Sequence, residues 1–169
     1  MLPDIDGRVA WIFEDENYDI DNILGPAFIT VTDPDRLKAA CMASDDPDFK
    51  DEVRVGDVVV GNRNFGYGHT HFTPFIAMRL LGVKAVLAES FYPDFYRAET
   101  TNGMVLLEVP GIVEATQRWD TVKVDWERGE VLVGGREHLP FDVPSQRIMD
   151  LVENGGAVGY LKTRAGRQL

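Results

Sequence analysis

Cysteine is almost missing from this chain. Cys41 is the only one among 169 residues, which excludes an internal disulfide and any iron–sulfur cluster held by this chain alone, since a cluster takes several thiolates. Histidine is nearly as scarce, with three residues, too few for a zinc set unless carboxylates contribute. Positive charge is short as well. Seventeen Lys and Arg stand against 28 Asp and Glu, and the formal net charge of −11 makes duplex nucleic acid and anionic membrane poor partners. Long apolar runs are absent, so no segment is expected to cross a bilayer. The opening Met-Leu-Pro-Asp-Ile-Asp lacks the basic and then apolar layout of a secretion signal. The chain is therefore expected to be soluble and cytoplasmic. It has no internal repeat and no low-complexity tract. Its 44% hydrophobic and 27% charged content fits one domain over residues 1–169 with a real core. Cys41 reads as a small buried or half-buried apolar residue rather than a reactive thiol.

The pattern along the chain is that of an α/β protein. Arg8 to Phe13 is apolar and β-rich and runs into the turn-prone stretch Glu14 to Asn22, a strand followed by a loop. Ile23 to Val31 is broken by Gly25 and Pro26 and reads as irregular or short structure. Asp45 to Glu52 is an acidic run with a proline, expected as a solvated surface loop or a flap. Asp57 to Gly61 is a short continuous apolar run, the mark of a strand buried on both faces. Thr73 to Leu81 suits a buried helix, with Thr73 able to cap, Pro74 in the first turn and Gly82 as the stop. Val83 to Ala88 is a second buried strand, so this stretch predicts a right-handed parallel crossover. Pro93 to Thr101 predicts a short helix, Asn102-Gly103 a turn and Met104 to Val109 a strand. Thr121 to Trp126 and Glu130 to Val133 predict an antiparallel hairpin with one wet face, and Pro144 to Asn154 an amphipathic helix before Gly155-Gly156. Together these elements make a mixed sheet covered by helices.

Chemistry is concentrated where the buried strand meets the buried helix, in Gly66-Tyr-Gly-His-Thr-His. Glycines at Gly66 and Gly68 let backbone approach a ligand, and the N–H groups at a helix N-terminus attract an anion such as a carboxylate. In open α/β sheets ligands gather beyond the carboxyl ends of the strands. A lone G-x-G turn is more often structural than functional. Two of the three histidines also fall here, His69 and His71, and suit acid–base work or anchoring of an acid better than metal binding.

These residues carry a resemblance. Asn17-Tyr-Asp-Ile-Asp-Asn-Ile resembles the Asn-Ile-Asp-Thr-Asp-Gln-Ile signature of 3-isopropylmalate dehydratase small subunits, and Asn64-Phe-Gly-Tyr-Gly resembles their Asn-Phe-Gly-Cys-Gly. Gly82 to Ala88, Ser90-Phe91, Phe95-Tyr96, Asn102-Gly103, Gly155-Gly156 and Tyr160-Leu-Lys follow in the same order, so the likeness spans about Gly7 to Lys162. The resemblance implies the swivelling β/β/α domain shared with the fourth domain of aconitase and a place in leucine biosynthesis or a related pathway. It also implies a cluster-bearing large subunit as partner, whose [4Fe-4S] cluster acts as Lewis acid on a small hydroxy di- or tricarboxylic acid, with none bound by this chain.

One segment departs from that family. Gly68-His69-Thr70-His71-Phe72-Thr73 stands where the family has Gly-Ser-Ser-Arg-Glu-His. The positions of the catalytic serine, the second serine and the carboxylate-clamping arginine thus hold His69, Thr70 and His71. Loss of arginine removes a planar, permanently charged donor, so substrate recognition is expected to differ, as in a divergent paralogue. His69 is the expected base, with Thr70 as the other candidate for the serine's role, while His71 is expected to contact a substrate carboxylate. Arg63 is a candidate to restore the clamp, and Arg97 a second; the plainer reading of both is surface charge. Asp19 and Asp21 match family aspartates in the early loop and join the expected site, against a plainer reading as turn residues. Phe91, Tyr92, Phe95 and Tyr96 read as core. Two other functions fit the sequence: a catalytically silent anion-binding or regulatory module, and a stand-alone metal binder using His69 and His71.

Overall fold

The computed structural model describes residues 3–69 and 71–166. The short apolar runs become central strands because nothing in them tolerates water on either face. β1 (Asp6–Phe13), β2 (Val58–Gly61), β3 (Ala85–Ala88) and β4 (Val105–Glu108) pair in parallel, and every residue of β2 and β3 is buried. The alternating runs become β5 (Thr121–Asp125) and β6 (Glu130–Val133), joined by β7 (Glu137–Pro140) in an antiparallel meander whose inward residues are valines on β5 and β6 and Leu139 on β7. All seven strands form one sheet in the order β4-β3-β2-β1-β5-β6-β7, so β1 joins its two halves. It pairs with β5 through Asp6, Gly7 and Arg8 and with β2 from Val9 to Phe13.

The sheet separates two cores. On one face lie α1 (Pro34–Ala40), α2 (Phe49–Glu52), α3 (Thr73–Leu81) and α4 (Pro93–Thr101), packed on Ala10, Phe13, Val59, Val86 and Leu106. On the other, the valines of β5 and β6 share a core with Val58, Val60, Leu87 and Leu107, which requires the antiparallel half to curl back over the parallel half. The register slips between Val9 and Trp11, a bulge that turns Ala10 and Trp11 to the helical side together. The remaining helices are α5 (Ile112–Ala115), α6 (Gln146–Glu153) and α7 (Ala157–Gly166); Ile148, Met149 and Val152 of α6 lie against β4 and Trp126. No helix among the described residues is long and apolar enough to cross a membrane.

The elements expected at 8–13, 57–61, 73–81, 83–88, 93–101, 104–109, the hairpin and 144–154 are all present, β1 starting two residues earlier at Asp6 and several others trimmed by a residue or two. Ile23 to Val31 is irregular as expected, apart from 3-10 turns at Ile20–Ile23 and Pro26–Phe28. Two expectations need correction. The acidic run is not simply a loop: Phe49 is fully buried and draws Phe49–Glu52 into a helical turn, while Asp46 and Glu52 pair with Arg118. Thr73 does not cap α3. The capping position falls on Phe72, already in helical conformation, and the Thr73 hydroxyl, one step inside, has no partner among the described residues.

Phe95 is fully buried against Phe65, Phe75 and Phe91. Phe95→Ala is expected to lower the unfolding free energy by about 3–5 kcal/mol, read from urea denaturation. Cys41 is buried as expected, and burial pushes its thiol from 9.0 up to about 12. The unfolded chain therefore gives up this proton first, so the thiol's contribution is intact below pH 9.0 and is lost as pH climbs toward about 12. Denaturation at a series of alkaline pH values should show that loss, and Cys41→Ala should make it shallower.

Candidate active site

β1 and β2 are parallel neighbours, so the loops leaving their carboxyl ends emerge side by side. The first carries Asn17 to Asn22, the second Asn62 to Phe72. This is why residues about fifty positions apart in the chain meet. His71 Nδ1 lies 2.8 Å from Asp21 Oδ2 and 3.0 Å from Oδ1, with both side chains partly shielded. The carboxylate takes one ring nitrogen, and Nε2 has no hydrogen-bond partner among the described residues.

A set of backbone contacts holds the two loops in this relation. Gly66 N–H donates to the Tyr18 carbonyl at 3.1 Å and Asn17 N–H to the Arg63 carbonyl at 2.9 Å. Asn64 Nδ2 donates to Asn17 Oδ1 at 2.7 Å, and both asparagines sit at left-handed φ, 55° and 56°. Asparagine tolerates that conformation better than most residues other than glycine. From the end of β3, Ser90 joins as well, its Oγ accepting from Asn64 N–H at 2.8 Å and its carbonyl from Phe65 N–H at 3.0 Å.

The two glycines have separate reasons. At Gly66, φ is +86° and a Cβ would stand 2.3 Å from the Phe95 ring, so any side chain would displace a core aromatic. At Gly68, φ is +106° and a Cβ would stand 3.1 Å from Asp19 Oδ2. The glycine thus lets the Asp19 carboxylate lie over the loop backbone. The other Asp19 oxygen accepts from Asp21 N–H at 3.0 Å and caps the turn that presents Asp21.

The structure therefore brings Gly66, Gly68, Asp19, Asp21 and His71 together. His69 lies exposed on the same loop, with no hydrogen bond to its ring among the described residues. Thr70 lies outside the described residues. Arg63 does not join the cluster: it is exposed and faces Glu16 at 3.7 Å, and Arg97 is likewise a surface charge beside Asp94. Among the described residues no three His, Cys, Asp or Glu side chains group as a metal site. Sequence reasoning gave no role to Asn17 and Asn64, although asparagine beside glycine-rich turns is a readable signal of positive φ. It also treated Asp21 and His71 separately, and no sequence signal links them. Clefts of about 620 and 670 Å³ open elsewhere, one lined by Tyr18 and Arg118 and the other by Trp126 and His138; neither contains His69 or His71. The paired groups instead lie on an open surface.

No family model matches the chain. It is 36% identical over 162 residues to an isopropylmalate/citramalate isomerase small subunit from Methanocaldococcus jannaschii, with 95% of each chain covered. It is 32% identical to a 3-isopropylmalate dehydratase small subunit from Heliobacterium modesticaldum, over 94% of this chain and 95% of that one. A crystal structure of a 3-isopropylmalate dehydratase from Methanocaldococcus jannaschii superposes with a TM-score of 0.86 at 30% identity, covering 98% of both chains.

The asparagine clamp has a direct test. Asn64→Ala loses the bond to Asn17 and places a Cβ-bearing residue with no compensating amide at positive φ, so a loss of about 1–3 kcal/mol in urea denaturation is expected. Asn64→Gly loses the same bond without the strain and should retain more stability than the alanine variant.

Proposed function

The chain belongs to the family of 3-isopropylmalate dehydratase small subunits, and from that membership and the site geometry we propose that it is the small subunit of a cytoplasmic, aconitase-type hydro-lyase. Its substrate is a small 2-hydroxy dicarboxylic acid of the isopropylmalate or citramalate kind, and a large subunit completes the site. The observation that carries this reading is the Asp21–His71 pair, set at the carboxyl ends of β1 and β2 with His69 beside it on a glycine-flanked loop.

A [4Fe-4S] cluster fits this arrangement only as a group presented by the partner, because the one thiol of this chain, Cys41, is buried and held protonated. The chemistry such a cluster supplies is Lewis-acid activation of the hydroxyl that leaves as water. This chain's residues supply the rest. His69, with no hydrogen bond to its ring among the described residues, takes the proton from the carbon next to a carboxylate and returns it during hydration, the task of the serine at this position in the family. His71 is held by Asp21 through Nδ1 and turns Nε2 to a substrate carboxylate, a contact it makes as donor when both ring nitrogens carry a proton. The Asp21 carboxylate fixes the ring plane, which gives a single directed contact where an arginine gives two. Asp19 and the glycines at Gly66 and Gly68 shape the loop that holds both rings.

Two substitutions separate these roles in the enzyme reconstituted with its large subunit under anaerobic conditions. His69→Ala is expected to lower kcat by about 10²–10⁴-fold while sedimentation shows unchanged assembly. His71→Ala and Asp21→Asn should act mainly on KM. Undiminished turnover in His69→Ala would remove His69 from the mechanism.

A further inference from the structure

Helix α3 starts at the candidate site and runs away from it, and every exposed residue on it is apolar. Ile76 is 37% exposed and Leu80 44%, and Phe72, just before the helix, is 52% exposed. Spaced four apart, these three side chains line one stripe of about 12 Å. The only charge on the helix, Arg79, is turned to the buried Glu99. Val55, 91% exposed, sits against Gly82 and lies beside the far end of the helix. In a chain with 28 acidic and 17 basic residues, a helix without one unpaired exposed charge is built to be covered.

We propose that this stripe is the surface on which the large subunit docks. The inference rests on the reading of the chain as the small subunit of a hydro-lyase. Phe72 follows His71 directly, so a macromolecule that brings substrate to the free nitrogen of His71 must also cover Phe72, and Ile76 and Leu80 continue that same contact outward. A second copy of this chain seated on the stripe would shut the site instead of completing it.

The test uses the source organism's large subunit, purified with its cluster under anaerobic conditions. Ile76→Asp and Leu80→Asp change exposed positions that take no part in the proposed chemistry. Each is expected to raise the dissociation constant for the large subunit about tenfold or more, with the unaltered kcat recovered at saturating concentration. Val158→Asp, at an exposed apolar position on α7, should leave binding unchanged. Should an aspartate variant fail to fold, Leu80→Cys provides a second reading, because Cys41 is buried and the new thiol is the accessible one. Its rate of maleimide labelling should fall severalfold when the large subunit is added. Binding and labelling that ignore these changes, while the unaltered chain binds and turns over, overturn the docking surface alone. Aspartate variants that break a homodimer but bind the large subunit as before assign the stripe to a second copy and also overturn it. If the unaltered chain binds no large subunit, this proposal and the functional reading fall together.

Discussion

One buried ring, that of Phe65, ties the ends of three parallel strands together, and the candidate site is built on top of it. Its centroid lies 5.1 Å from Phe13 at the end of β1, 5.5 Å from Phe95 and 6.3 Å from Phe75, and it stacks on Tyr18 at 5.9 Å. Its backbone bridges Phe91 beyond the end of β3. Aromatic clusters of this kind combine large apolar burial with preferred ring geometry, so they fix orientation as well as contributing stability. The loop from Asn62 to Phe72 is therefore anchored at its middle. The residues on either side of Phe65, Asn64 and Gly66, make the cross-loop bonds that bring the Asp21 loop alongside.

This anchoring explains how an exposed site keeps its geometry. His69 and His71 stand on a loop, yet the loop is stapled to Tyr18, Asn17 and Ser90 by hydrogen bonds of 2.7–3.1 Å. A reactive group held on a rigid frame loses little freedom when a substrate arrives, and that is where orientation contributes to rate. Where the resembled family carries an arginine, this chain has a histidine backed by a carboxylate. A guanidinium keeps its charge at all working pH values, whereas an imidazole does so only when protonated.

The distribution of charge and of apolar surface follows the same division. Arg118 lies over Trp11 and Trp119 and pairs with Asp46 and Glu52, and Arg8 also lies over Trp119 and bonds the buried Asp57. These contacts gather acidic side chains around cations at the join between the two halves of the sheet. Helix α3, by contrast, leaves the site with an uncharged outer stripe. On an acidic chain, such a stripe offers another protein an approach free of like charge.

Much of this protein was readable from residue order. Continuous apolar runs bounded by glycine gave β2 and β3, because a strand buried on both faces admits nothing polar. Pro74 and Gly82 bracketed α3, because proline is tolerated only at a helix start and glycine ends one cheaply. Glycine spacing and the two close histidines marked the loop between β2 and α3 as the candidate site. What stayed hidden depended on distance in the chain. Helix formation at Phe49–Glu52 follows from a pocket that accepts Phe49, α7 continues past the Gly155-Gly156 stop, and β7 exists because β6 offers it an edge. Local sequence thus determined which segments fold and which loop gathers the glycines and histidines, through periodicity and turn residues. Only tertiary structure decided that Asp21 holds His71, that Arg63 stands apart from them and that α3 leaves one face bare, since each depends on which strands lie side by side.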